Sequence, residues 1–407
     1  MIPTVALARL SPEARPKSIP FGQDPVRVTL ERMRTVGVEE ELLLVDQGSW
    51  SPVPVADEAL RGRGRLSGSR ADVALVGELH LEMLEAVTTP HRRMSALGDE
   101  VIGNRSKADA LAAGVGARAV ALASAPTATQ AHPRQTDRYE AIVRRYGVIP
   151  KRSLTCGMHV HVSIDSESEG VAVLDRIRVW TPILIALSAN SPFHRGDDTG
   201  HESFRSIDWN QWPSAGPMDV YGSAERYRAV ERGMLRTGAL LDAGMLYLDA
   251  RLSRNHPTVE IRVADVPLDA GTTVVIAAIV RALVDTAVRE WRSGDGIPDV
   301  PACTVRLANW RAALEGLHGE LVDPLSWEAA PAHAVVAALL AHVMPALRAN
   351  GDDRLVTDGL ARLLAHHGGA DVQRDALRSS GDLAGVVQVA VTHTHADPVG
   401  WMSPVPA

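Results

Sequence analysis

The sequence predicts an α+β fold, with a mostly antiparallel sheet in the first two-thirds and helices packed on its outer side. Two observations lead there. Segments 35–46, 155–165 and 246–265 read as strands, each a short β-prone run bounded by turn residues. From Gly271 onward the spacing turns helical, starting with "GTTVVIAAIVRALVDTAVREW" and recurring through 332–348 and 354–366. No internal repeat is present.

Taken in order, residues 1–30 contain Pro and Arg without periodicity and read as a loose N-terminal arm. A strand follows at 35–46. "RGRGRLSGSR" (61–70) reads as a flexible loop, the bland alternative to a phosphate-binding one. The segment 94–116 has helical spacing and ends in Gly, 155–165 is a strand, and 171–190 reads as one long buried helix. Residues 246–265 read as two strands around an Asn-His-Pro turn. Residues 31–395 are therefore expected to form a single domain, with 396–407 as a tail.

The chain has 407 residues, 45% of them hydrophobic and 22% charged, enough for a large core. A net charge of −7 and a pI near 6.1 argue against nucleic acid as the main partner. The start of the chain lacks the pattern of a signal peptide, and stretches such as "TPILIALSAN" are too short to span a bilayer, so no membrane segment is expected. Two cysteines, Cys156 and Cys303, make neither a disulfide framework nor a Cys-based metal site, which suits a cytoplasmic setting.

Four segments gather polarity on one side. In "TVGVEEELLLVD", strand alternation puts Glu39 and Glu41 on one face and Glu40 with Val38 and Leu42 on the other. Carboxylates two residues apart stand roughly 7 Å from each other, and their repulsion is about 2 kcal/mol at an effective dielectric near 20. Either a cation lies nearby or the face is wet. In "HVHV", His159 and His161 share a face, a common metal-ligand spacing and also an ordinary hydrogen-bonding one. Cys156 has the opposite parity and reads as core. In the hairpin, pairing Ser253 with Thr258 sets Arg251 opposite Glu260 and Asp249 opposite Arg262, all on one face. In "GELHLEMLEAVTTP", Glu78, Glu82 and Glu85 fall at i, i+4, i+7 on one face of a short helix that stops before Pro90. Each segment alone could be a solvated face. Together they offer carboxylates, imidazoles and guanidiniums that could converge, an oxygen-rich set suited to Mg²⁺ or Mn²⁺. There is no Walker-type loop and no Gly-x-Gly-x-x-Gly after a strand, so a nucleotide's phosphates would have to be held by metals and arginines.

The ordered set "GVEEELLLV", "EMLEAVTTP", "GMHVHVSI", "ALSANSPF" and "DARLSRNHPTVEIRVAD" resembles the type 2 glutamate–cysteine ligase family, or carboxylate–amine ligases, over about residues 35–300. The resemblance implies a glutamine-synthetase-like antiparallel sheet cupping the active site. It implies that ATP phosphorylates a carboxylate, the side chain of glutamate in the family's usual reaction, and that an amine such as cysteine attacks the acyl phosphate. The cofactors implied are ATP and Mg²⁺ (or Mn²⁺); the partners are small-molecule substrates, with a homo-oligomer compatible. Position by position, it makes Glu39, Glu41, Glu78, Glu85, His159 and Glu260 metal ligands. Arg262 and Arg251 become the groups on phosphate or substrate carboxylate, with Glu39, Glu41 and Arg262 toward the nucleotide. Arg138, Arg205, Arg251 and His161 become substrate-side groups. Leu248 departs from the family's frequent aromatic residue, and no feature identifies a thiol pocket. Two other classes fit the residues without the resemblance: a metal-dependent hydrolase built on His159 and His161, to which "HTHAD" (393–397) could add ligands, and a non-catalytic nucleotide or amino-acid binder.

Overall fold

The computed structural model describes residues 33–62, 75–366 and 368–396, and from Arg34 onward they belong to one compact unit. The arm at 1–30, most of the 61–70 loop and nearly all of the 396–407 tail lie outside the described residues.

The sheet has seven antiparallel strands: β1 (Val36–Asp46), β2 (Leu75–Gly77), β3 (Met83–Val87), β4 (Ala117–Val120), β5 (Gly157–Ser163), β6 (Ala250–Leu252) and β7 (Thr258–Asp265). Their order is β2-β3-β1-β5-β7-β6, with β4 pairing the far end of β1. β1 is the hub. It opposes β3 with Glu41 facing Glu85, and β5 with Glu39 facing His159. His161 then faces Glu260, and Glu260 faces Arg251, so one register carries the polar row across the sheet. A bulge in β7 leaves Arg262 and Val263 together opposite His159, which brings Arg262 beside the imidazole.

The opposite face is apolar. Val36, Val38, Met158, Val160, Val162, Val259 and Ile261 pack with α1 (Met94–Ala113), α2 (Glu167–Ile177), α3 (Thr181–Ser188) and α4 (Ala270–Ser293) in the main core. Glu40 enters that core, 2% exposed, and is met by Arg105 of α1. The guanidinium donates to both carboxylate oxygens at 2.9 and 2.8 Å, and to the carbonyls of Leu268 and Pro267, while the Thr273 hydroxyl donates to Glu40 at 2.6 Å. A charge pair this buried is tolerated because nearly every donor and acceptor is used.

The expected strands at 35–46, 155–165 and 246–265 and the expected late helices all form. Two expectations change. The segment 171–190 is two helices: the first ends at Ile177, and Pro182, which cannot donate to a preceding turn, starts the second. The stretch carrying Glu78, Glu82 and Glu85 is no helix. Val76 of β2 pairs with Glu85 and β3 pairs with β1, because Met83, Leu84 and Ala86 bury in an adjoining core. Two helices, Ala270–Ser293 and Ala332–Asn350, have the length and apolarity to cross a membrane, although α4 is sheathed by the core, with 94% of its apolar window buried.

Replacing Arg105 by Ala leaves Glu40 charged and unpaired in the core. The expected cost is about 3–5 kcal/mol, read as a lower urea midpoint with an unchanged slope.

Candidate active site

On the polar side of the sheet lies a cavity of about 480 Å³. Its floor is the cross-strand row, and its lining includes Glu39, Glu41, Glu78, Glu85, His159, His161, Arg251, Glu260 and Arg262. Strand parity alone sends Glu39 and Glu41 here and Glu40 away. Glu78 follows the end of β2 and accepts from the N–H of Leu79 at 2.6 Å. Glu82 is not part of the set. It is fully buried on the other side and accepts from the backbone and Nδ1 of His132 at 3.1 and 2.5 Å.

Charge compensation in the cavity is uneven. Burial opposes ionisation of Glu39, but hydrogen bonds to His159 and His161 hold its carboxyl far below the usual range; Glu39 Oε2 lies 3.0 Å from His159 Nδ1 and Oε1 lies 3.3 Å from His161 Nε2. Glu260 is buried yet kept well below its usual value by Arg262 and Arg251, the latter donating twice at 2.8 and 3.0 Å. Arg262 donates to the other side of the same carboxylate and lies 3.4 Å from His159 Nδ1. Burial and the Arg262 charge push His159 down to about 4. The remaining three carboxyls lack such partners. Glu41 is pushed up to about 7 by burial and by the charge of Glu78, although it accepts from the N–H of Gly157. Burial raises Glu78, and burial with the charges of Glu78, Glu39 and Glu41 raises Glu85 well above its ordinary value.

Two groups of three donors stand close enough to hold a cation: Glu39 with Glu85 and His159, and Glu39 with His161 and Glu260, each with ligand atoms within 4.8 Å. The donor set fits a hard divalent ion. His161 supports that fit: its Nδ1 lies 3.0 Å from the Thr258 hydroxyl, which leaves its buried Nε2 turned to Glu39 Oε1 at 3.3 Å, among the donor atoms of the second group.

The wall facing this floor is aromatic. Trp209, Trp212 and Tyr247 form a mutual cluster with ring centroids 4.8–6.2 Å apart, backed by Ile142 and Leu79. Tyr139 and Arg138 complete that side, with Arg138 Nε donating to Asp242 at 2.8 Å. The hairpin tip, Arg254 to His256, lines the rim. Sequence reasoning missed the aromatic wall, although Trp209 and Trp212 stand three residues apart in "SFRSIDWNQWPSAGP".

Two expected residues fall elsewhere. Arg205, expected on the substrate side of the main site, lies under Gly157 with its Nη atoms 3.3 Å from the carbonyls of Val263 and Arg262, and it lines a second, smaller cavity. Asp249 lines that second cavity too and is hydrogen-bonded by Asn309, not Arg262. In the tail motif, whose Asp397 lies outside the described residues, His395 Nε2 is 2.7 Å from the Ala119 carbonyl. The "ALSANSPF" segment ties to the sheet: the N–H of Asn190 and the hydroxyl of Ser191 donate to buried Asp265 at 2.9 and 2.6 Å.

A protein from Streptomyces coelicolor named "Putative glutamate--cysteine ligase 2" is 49% identical over 89% of this chain and 100% of its own length. A Streptomyces avermitilis protein named "Putative glutamate--cysteine ligase 2-1" is 46% identical over 89% of this chain and 99% of its own. Among solved structures, the glutamate–cysteine ligase of Francisella tularensis in complex with AMP superposes with a TM-score of 0.65 at 12% identity, covering 90% of both chains. A bifunctional glutathione synthetase from Pasteurella multocida gives 0.66 at 15% identity over 90% of this chain and 53% of that one. These two share the fold. The model of glutamate–cysteine ligase family 2 matches residues 35–393, and with the two sequence relatives it shows that the chain belongs to that family and is an ATP-dependent carboxylate–amine ligase.

Proposed function

We propose that the enzyme phosphorylates the side-chain carboxylate of glutamate and couples it to an amine, giving a γ-glutamyl amide, ADP and phosphate. The observation that carries the site assignment is the meeting of two donor groups at one carboxylate, Glu39. Glu39, Glu85 and His159 would hold one divalent cation and Glu39, His161 and Glu260 a second, with Glu41 and Glu78 close by. Mg²⁺ or Mn²⁺ bound there would neutralise phosphate oxygens during phosphoryl transfer.

The chain's own residues do the rest. Arg262 and Arg251, fixed by Glu260, present guanidinium charge to the cavity where phosphate or substrate carboxylate would lie. Arg138, anchored on Asp242, supplies a further cation at the rim for the donor's α-carboxylate. The wall of Trp209, Trp212 and Tyr247 excludes water from one side of the site, which protects an acyl phosphate from hydrolysis. No protein nucleophile is needed, and Cys156 is ill suited to be one: it is buried in the core, and burial with the charge of Glu41 pushes its thiol well up.

ADP release is expected to require a carboxylate donor and an amine acceptor together. Glu39→Ala and Glu260→Ala should each lower kcat by at least about a hundredfold with an unchanged circular dichroism spectrum. Near-normal turnover in either variant would contradict the assignment.

Cation binding has a readout apart from turnover. In chelator, Glu41 carries a native pKa near 7 against an ordinary 4.5, so its ionisation costs stability as pH rises through 7. The metal-free melting temperature should therefore fall as pH rises from about 4.5 to about 7 and level off above it. Saturating Mg²⁺ should flatten this fall and raise stability, by about 2.7 kcal/mol at a hundredfold excess over Kd. Glu39→Ala should abolish the Mg²⁺ response.

A further inference from the structure

The sheet does not complete the hydrogen bonding of its own bulge. Between Met158 and Val160 of β5 stands one residue, His159, while between their partners Ala264 and Ile261 of β7 stand two, Arg262 and Val263. The ladder loses its repeat there, yet buried backbone carbonyls still need partners. The N–H of Arg262 donates to the Asp249 carbonyl at 2.9 Å. The two carbonyls of the bulge are both met by one side chain. Arg205 donates to the Arg262 carbonyl from Nη2 and to the Val263 carbonyl from Nη1, each at 3.3 Å.

Several features hold Arg205 in this place. It sits near the start of the short helix Phe204–Trp209, and its N–H donates at 3.0 Å to the Ser191 hydroxyl, which itself donates to Asp265. The side chain is 2% exposed and passes beneath Gly157. A Cβ at Gly157 would lie 2.8 Å from the Arg205 Cζ, so only glycine admits the guanidinium so close. The N–H of Gly157 in turn donates to Glu41 on the cavity side. One helical turn along, the Trp209 ring stands 5.7 Å from the same Cζ. One buried guanidinium therefore touches the bulge of the floor, the first residue of β5 and a ring of the aromatic wall. Its Nε is buried with no hydrogen-bond partner, so the hydrogen bonds it does make go to the bulge.

We propose that Arg205 is a positioning residue that acts through Arg262. By holding both bulge carbonyls it fixes the stretch of backbone from which the Arg262 guanidinium reaches Glu260 and His159. Through Trp209 it also sets the aromatic wall against the charged floor. Arg205 does not line the main cavity and touches none of the reacting groups there. The proposal rests on the ligase reading above, which turns Arg262 toward phosphate or substrate carboxylate.

The test is a double-mutant cycle on ADP release by the full chain. Arg205→Met should lower kcat about a hundredfold, the scale of a misplaced group, while the KM values for ATP and glutamate stay within about twofold. The double variant Arg205→Met/Arg262→Met should be no slower than Arg262→Met alone, because the loss runs through one guanidinium. Arg205→Lys keeps the charge but cannot fork two carbonyls, and should remain at least about tenfold slow. The second cavity, of about 180 Å³, adjoins the Arg205 side chain. Guanidinium chloride at millimolar concentration should therefore restore turnover to Arg205→Ala saturably, where ammonium chloride does not. Full activity in Arg205→Lys, or costs that multiply in the double variant, would overturn the proposal and leave the ligase reading intact. If the wild type releases no ADP with any donor and acceptor, the ligase reading falls, and the same cycle is read in the Kd of a non-hydrolysable ATP analogue with Mg²⁺. Equal Kd in Arg262→Met and the double variant then supports the coupling, and further weakening in the double variant overturns it.

Discussion

The constraint on which this structure turns is a pair of like charges set face to face. Glu41 on β1 and Glu85 on β3 are directly opposed in the sheet, a juxtaposition that ordinarily destabilises strand pairing. Glu78 joins them from the end of β2, and Glu39 stands one pleat along. Such a cluster persists only because the other side of the same strands is held firmly. Leu42, Leu44, Val36 and Val38 are almost fully buried, and Glu40 is gripped by Arg105. The core sustains electrostatic strain that the cavity uses: the poorly compensated carboxyls are the ones with most to gain from a cation.

Around that floor the cavity divides by chemistry. Glu39 and Glu260 are kept ionised by imidazole and guanidinium partners, whereas Glu41, Glu78 and Glu85 are pushed toward the protonated form by burial and by one another. The opposite wall contributes mainly ring surface, with Arg138 as its charge at the rim. A charged floor under an apolar roof suits a reaction that must hold phosphate tightly and keep water from a reactive intermediate. Arg262 sits at the junction, pinned by the bulge in β7 between the acidic floor and the smaller neighbouring space.

How much of this could be seen in the chain itself follows from the range of the forces involved. Strand parity is local, so the separation of Glu40 from Glu39 and Glu41 was readable, and so was the pairing of Arg251 with Glu260 through a short turn. The segment around Glu78, Glu82 and Glu85 misled because i, i+4, i+7 spacing is a helix signal only when no partner strand waits. Here β1 supplies one, and Met83 and Leu84 gain more by joining its sheet. The aromatic wall, the partners of Asp249 and the burial of Arg205 depend on helices remote in sequence, where no periodicity points. Asp249 was expected across from Arg262, and the backbone register agrees, with the N–H of Arg262 donating to the Asp249 carbonyl at 2.9 Å. Its side chain turned to Asn309 instead, a choice made by a helix sixty residues on.

The three consecutive glutamates of β1 also act as a ratchet on alignment. A slip of one residue would drive Glu39 and Glu41 together into the apolar interior, where a single guanidinium waits, and would leave one carboxylate facing both imidazoles. Both faces would then be wrong at once. An insertion or deletion of one residue between Val38 and Leu42 is thus far more damaging than any single replacement there, and chain length at this point is under tighter constraint than side-chain identity.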